Sequence, residues 1–194
     1  SLAVLLGRPQ PDRSHYEVVN DLDGMIVNFW RAVRAGGLFE YAQNNPLTEI
    51  DLTAKRNYAF ERIGQLNEKL LQDPEWFDKE LAFFWVYCVS GSIEGSGAFG
   101  RTKTGKSKKL NMFFAQARGI FGKEANLSET LEALRQRLAR VAVVCGDWER
   151  CLTPAILNHS ESCGVLLDPP YDAFTGSGAW YAAGGERSGL AARG

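Results

Sequence analysis

Val165-Leu166-Leu167-Asp168-Pro169-Pro170-Tyr171 is the run that decides how the chain is read. Three apolar residues lead into an acid, two prolines and an aromatic ring. The apolar part reads as a short buried strand, with the tetrapeptide at its carboxyl end. Neither proline has an N–H to donate, so a strand ladder stops there and the backbone is held extended. In open α/β sheets ligands bind outside the carboxyl ends of the strands. The Asp168 carboxylate and the carbonyls beside it are acceptors, and the Tyr171 ring offers a stacking face. That combination suits a flat heterocycle carrying an exocyclic amine.

Two more short apolar runs end the same way. Residues 17–20 read as a strand followed by Asp21, and residues 141–145 read as a strand followed by Gly146-Asp147-Trp148. Alternating helices and apolar strands imply an α/β fold, a doubly wound and mostly parallel sheet with a mainly helical insertion. In such a sheet Asp21, Asp147 and Asp168 emerge along one rim. An acid after an early strand accepts from the ribose hydroxyls of a nucleoside cofactor, and Asp21 holds that position. Asp23 competes for it, and either acid also suits the cap of the helix starting near Gly24. Asp147 suits the exocyclic amine of a bound adenine, or simply a turn after Gly146.

Between these strands the pattern is helical. Met25, Ile26, Phe29 and Val33 recur at helical spacing, which predicts that Arg31 and Arg34 face away. Gly36-Gly37 should stop that helix. A second helix is predicted over residues 49–71, with Tyr58, Ile63, Leu66 and Leu70 inward. Asp73-Pro74-Glu75 predicts a helix start, Asp as cap and Pro in the first position. The aromatic run Phe83, Phe84, Trp85 and Tyr87 reads as core rather than a base-stacking platform. Residues 91–109 lack a hydrophobic period and read as a long loop carrying Arg101, Lys103, Lys106, Lys108 and Lys109. A helix starting at Ser128 should bury Leu131, Leu134 and Leu138, and residues 149–160 read as helix or turn interrupted by Pro154. Residues 1–6 read as a strand or a helix start.

Composition bounds the rest. The chain has 194 residues, 45% of them hydrophobic, with Lys+Arg 22 against Asp+Glu 23, so its net charge points to no partner. Cys88, Cys145, Cys151 and Cys163 have no CxxC spacing, and His15 and His159 have no ligand spacing, so no metal site is expected and the cysteines read as reduced, as in the cytoplasm. No apolar run reaches membrane-spanning length and no signal peptide is visible.

At Asp168-Pro169-Pro170-Tyr171, at Val18-Val19-Asn20-Asp21-Leu22-Asp23 with its following helix (Asn28-Phe29-Trp30), and at Cys145-Gly146-Asp147-Trp148, the chain resembles the adenine-specific N6 DNA methyltransferases, the class that includes the bacterial and phage adenine methylases. A helical insertion between the last two blocks also matches. The resemblance implies a catalytic domain of the S-adenosylmethionine-dependent type over residues 1–37 and 136–194. It implies a target-recognition domain over residues 38–135. The cofactor ribose would lie at Asp21 and its adenine at Asp147. Asp168 and the Pro169 carbonyl would accept from the N6 amine of a flipped adenine, with Pro170 completing the tetrad and Tyr171 stacking on the base. Double-stranded DNA would be the partner, its phosphates met by Arg101, Lys103, Lys106, Lys108 and Lys109. That run is otherwise a solvated surface loop. A phage or restriction-modification setting follows from the same likeness.

The family's glycine-rich cofactor loop would precede Ser1 and further strands would follow Tyr171. The chain therefore reads as a fragment that by itself binds S-adenosylmethionine weakly or not at all. Two alternatives stand beside the DNA enzyme: an RNA base-amine methyltransferase, and a catalytically inactive DNA-binding remnant.

Overall fold

The computed structural model describes residues 7, 16–36, 38, 48–92, 99, 124–158 and 163–167, with backbone only at 124–128. Two β-branched runs form strands, β1 (Glu17–Asp21) and β2 (Val141–Cys145). They pair in parallel, with Glu17 opposite Val141 and Asp21 opposite Cys145. Among the described residues the sheet has these two strands, and most of the remainder is helical. A parallel pair needs a crossover. Here the crossover holds α1 (Gly24–Ala35), α2 (Glu49–Gln72), α3 (Lys79–Gly91) and α4 (Glu124–Leu138). After β2 come a single 3-10 turn (Trp148–Cys151) and the short α5 (Pro154–Leu157).

Local chemistry sets most helix ends. The Asp23 carboxylate accepts from the Met25 N–H at 2.9 Å and starts α1. Gly36 ends it at φ +82°, where an L side chain is strained, and its N–H donates to the Ala32 and Val33 carbonyls. Thr48 caps α2 by accepting from the Asp51 N–H at 3.0 Å. Pro154 opens α5 rather than interrupting a longer helix, because the first turn needs no N–H from it.

Two predicted starts are displaced. Asp73 does not begin α3: its Oδ1 accepts from the Glu75 and Trp76 N–H groups at 2.8 and 3.1 Å, which closes a turn instead. The cap is Asp78, which accepts from the Leu81 N–H at 2.9 Å. Ser128 lies inside α4, which begins at Glu124, since Glu and Ala extend a helix readily.

One apolar cluster holds these elements together. Met25, Phe29 and Val33 of α1 meet Leu66 and Leu70 of α2, Leu81, Phe83 and Tyr87 of α3, and Val141 and Val143 of β2. The aromatic run of α3 is therefore core, with Phe84 and Trp85 packed against the buried cluster.

The polar face predicted for α1 is overturned. Arg31 is only 1% exposed. Its Nε donates to the Val143 carbonyl at 2.9 Å, and its Nη1 to the carbonyls of Asp73 and Trp76 at 2.7 and 2.9 Å. Its Nη2 reaches the Leu70 carbonyl at 3.4 Å, near the end of α2, where helix carbonyls lack partners. Burial lowers its pKa, but a guanidinium stays charged in proteins, and these carbonyls satisfy it. Arg34 also turns inward, donating to the Val141 carbonyl at 3.0 Å while pairing with Glu75 at 2.6 Å. Asn28 is fully buried and exchanges two hydrogen bonds with the Asp78 backbone, at 2.8 and 2.7 Å. Arg137 grips Glu17 through both carboxylate oxygens at 2.7 and 3.0 Å, fastening α4 to the start of β1.

The predicted strand at Val165-Leu166-Leu167 is not one here. These residues have no regular structure and are 52%, 60% and 57% exposed. Three apolar residues cannot specify a strand alone, because the ladder that defines one comes from a neighbour.

Candidate functional site

The site is the rim where β1 and β2 end. The Gly146 N–H donates to the Asp21 carbonyl at 3.0 Å, which ties the two strand ends together. Gly146 sits at φ +120°, and a Cβ there would lie 2.9 Å from the Arg150 Nη1 and 3.0 Å from the Leu71 Cδ2. Glycine is thus required for its conformation, while the side-chain ends facing it can yield. Arg150 closes the turn from outside, its Nη1 donating to the Cys145 carbonyl at 2.8 Å.

Three acids line this rim. Asp21 ends β1, and its Oδ1 accepts from the Asp23 N–H at 2.8 Å. Asp23 is the cap of α1, one of the two roles the sequence left open for these acids. Asp147 stands two residues beyond β2 and accepts from the Glu149 N–H at 3.2 Å. Between the strands, the Asn20 Nδ2 donates to the Gly146 carbonyl at 3.0 Å. Its Oδ1 is buried with no hydrogen-bond partner. A buried orphan acceptor is costly and calls for a donor. Apolar surface flanks the acids, with Leu22 and Trp148 each 40% exposed and Leu71 44%.

Sequence reasoning placed Asp21 and Asp147 at the strand ends but gave no part to Asn20, Arg150 or the apolar flank of Leu22. A signal existed only for Leu22, an apolar residue between two acids where a turn needs none. The rim offers acceptors and apolar walls. This fits a nucleoside, whose ribose hydroxyls and exocyclic amine are donors. Asp168, Pro169, Pro170 and Tyr171 lie outside the described residues, as do Arg101, Lys103, Lys106, Lys108 and Lys109, residues 1–6 and most of the long loop.

Two of the thiols are disfavoured as nucleophiles by burial. All four cysteines are free. Burial pushes the Cys88 thiol up to about 12 and raises that of Cys145, which keeps both neutral and poorly nucleophilic. Among the described residues no group of His, Cys, Asp and Glu could hold a metal ion, and no helix is long and apolar enough to cross a membrane. Comparison with family models, curated proteins and solved structures returns no match.

Proposed function

We propose that the protein is a site-specific DNA methyltransferase acting on the N6 amine of adenine in double-stranded DNA, in the cytoplasm of a bacterium or a phage-infected host. One observation carries the reading: Asp21 and Asp147 stand at the carboxyl ends of two adjacent parallel strands, beside the orphaned acceptor of Asn20. Parallel-strand rims of this kind are where nucleoside cofactors bind.

S-adenosylmethionine supplies an electrophilic methyl group when bound. Asp21 would accept from its ribose hydroxyls and Asp147 from its adenine amine. Asp168 and the Pro169 carbonyl accept from the N6 amine of the target adenine, which aims the nitrogen lone pair at the methyl. Pro170 keeps that backbone extended, and Tyr171 stacks on the flipped base. The thioether of the cofactor would be the leaving group and the surplus proton of the amine would pass to the Asp168 carboxylate, so no strong base would be needed; positioning and charge stabilisation would supply the rate. Arg101, Lys103, Lys106, Lys108 and Lys109 meet the phosphates, which makes binding salt-dependent.

The test is transfer of labelled methyl from S-adenosylmethionine, by the protein expressed from its full reading frame. Duplex DNA is expected to take the label at adenine N6. Asp168→Ala should lower the rate by at least about a hundredfold, the scale of losing a positioned catalytic contact. Label in ribosomal RNA alone, or a rate unchanged in Asp168→Ala, would overturn the reading.

A further inference from the structure

The edge of β2 that faces away from β1 is held by arginines. The Gly146 N–H turns toward β1, so by the alternation of a parallel ladder the carbonyls of Val141, Val143 and Cys145 turn the other way. They accept from Arg34 at 3.0 Å, Arg31 at 2.9 Å and Arg150 at 2.8 Å. The same three guanidinium groups also reach the end of α2 and the turn after it. Arg34 pairs with Glu75, Arg31 bonds the Leu70, Asp73 and Trp76 carbonyls, and the Arg150 Nη2 meets the Leu71 carbonyl at 3.5 Å. The last turn of a helix has carbonyls without partners and the negative end of its dipole, so cations suit it.

Arg150 differs from the other two in exposure and in place. Arg31 is buried and Arg34 half-buried, whereas Arg150 is exposed. It also spans the turn that presents Asp147. Its side chain bonds the Cys145 carbonyl before that turn, and its own N–H donates to the Asp147 carbonyl at 3.2 Å. Between them Gly146 stands at φ +120°, with the Arg150 and Leu71 side chains over it. Glycine has the widest choice of backbone conformation, so the turn takes its shape from what packs on it. Leu71 brings α2 to this point. Asn67, one turn earlier on the same face, fills the space beside Gly24 at the start of α1. The end of α2 is thus seated against both loops that leave the strands. We infer that Arg150 is a positioning residue: by joining the Cys145 and Leu71 carbonyls it braces the Gly146-Asp147 turn against α2 and fixes where the Asp147 carboxylate stands. This role rests on the methyltransferase reading, in which Asp147 accepts from the adenine amine of the cofactor. Because the side chain is exposed, its loss costs the fold little and the site much, the reverse of Arg31. A lysine has one compact donor head in place of the fork, so it serves one of the two carbonyls.

Titration calorimetry with S-adenosylhomocysteine, on the protein expressed from its full reading frame, tests this. Arg150→Met should raise the dissociation constant by about tenfold, the scale of one charge-assisted hydrogen bond. Arg150→Lys should recover part of that loss. In methyl transfer the KM for S-adenosylmethionine should rise likewise, while kcat at saturating cofactor stays within about twofold. The thermal midpoint should move by no more than about 2 °C, as for an exposed side chain. Equal binding by Arg150→Met and the unaltered protein would overturn the role of Arg150 and leave the cofactor reading standing. A midpoint that falls as far as in Arg31→Met would also overturn it, by making Arg150 a structural residue. An unaltered protein with no affinity for S-adenosylhomocysteine would overturn the cofactor reading and this role together.

Discussion

The α1 helix and the carboxyl rim draw on similar polar residues and use them in opposite ways. On α1, Asn28, Arg31 and Arg34 give their hydrogen bonds to backbone groups of the turn after α2 and of β2. At the rim, Asp21 and Asp147 shape a local turn each and remain half-exposed beside Leu22 and Trp148. The first region spends its polar groups on holding elements together. The second places its acids at the ends of the two strands. A charged residue is therefore informative about function only after its partners are known. Arginines at helical spacing opposite an apolar face are structural here, whereas the acids of the candidate site are turn formers at the strand ends.

Breaking the arginine clamp should have the largest effect. Arg31→Met keeps length and removes the donors to the Leu70, Asp73, Trp76 and Val143 carbonyls. Four backbone carbonyls lose their donor, at about 1–3 kcal/mol for each one that stays buried and unsatisfied. Urea unfolding checks it, and a midpoint close to that of the unaltered chain would mean that water replaces the guanidinium. At the junction of the two regions, Gly146→Ala forces an L side chain to φ +120° against Arg150 and Leu71. About 1–3 kcal/mol should be lost, the range for a strained backbone position, measured as a shift in thermal midpoint. The smallest change belongs to the rim. Asp147→Asn keeps the turn, since Asn caps as well as Asp, so stability should move by no more than about 0.5 kcal/mol in the same unfolding assay. A large loss there would give Asp147 a structural role like that of Arg31 and erase the contrast.

Much of this was legible in advance. Both strands, their parallel direction, the ends of α1 and α2, and the rim positions of Asp21 and Asp147 follow from β-branched runs, helical spacing and Gly or Asp at the boundaries. Val141–Cys145 and Val165-Leu166-Leu167 show where legibility stops. Both are short apolar runs before an acid, but the first is a strand because β1 lies beside it, while the second has no ladder partner among the described residues. Asp73 and Asp78 make the same point for helix caps. Each is an Asp before a helical run, and the turn that Asp73 closes has its carbonyls taken by Arg31, leaving the helix to start at Asp78.

What the amino-acid order determined by itself is local: which segments are helical or extended, where Gly36 and Gly146 bend the backbone, and which acids follow the strands. These depend on groups a few residues apart, whose distances the chain geometry dictates. What only the tertiary structure decided is the destination of the long side chains and of the strand edges. Arg31 meets Val143 across 112 positions, and Arg137 meets Glu17 across 120. A guanidinium can be satisfied by any carbonyl or carboxylate that packing brings to it, so its position in the sequence carries no information about its partner.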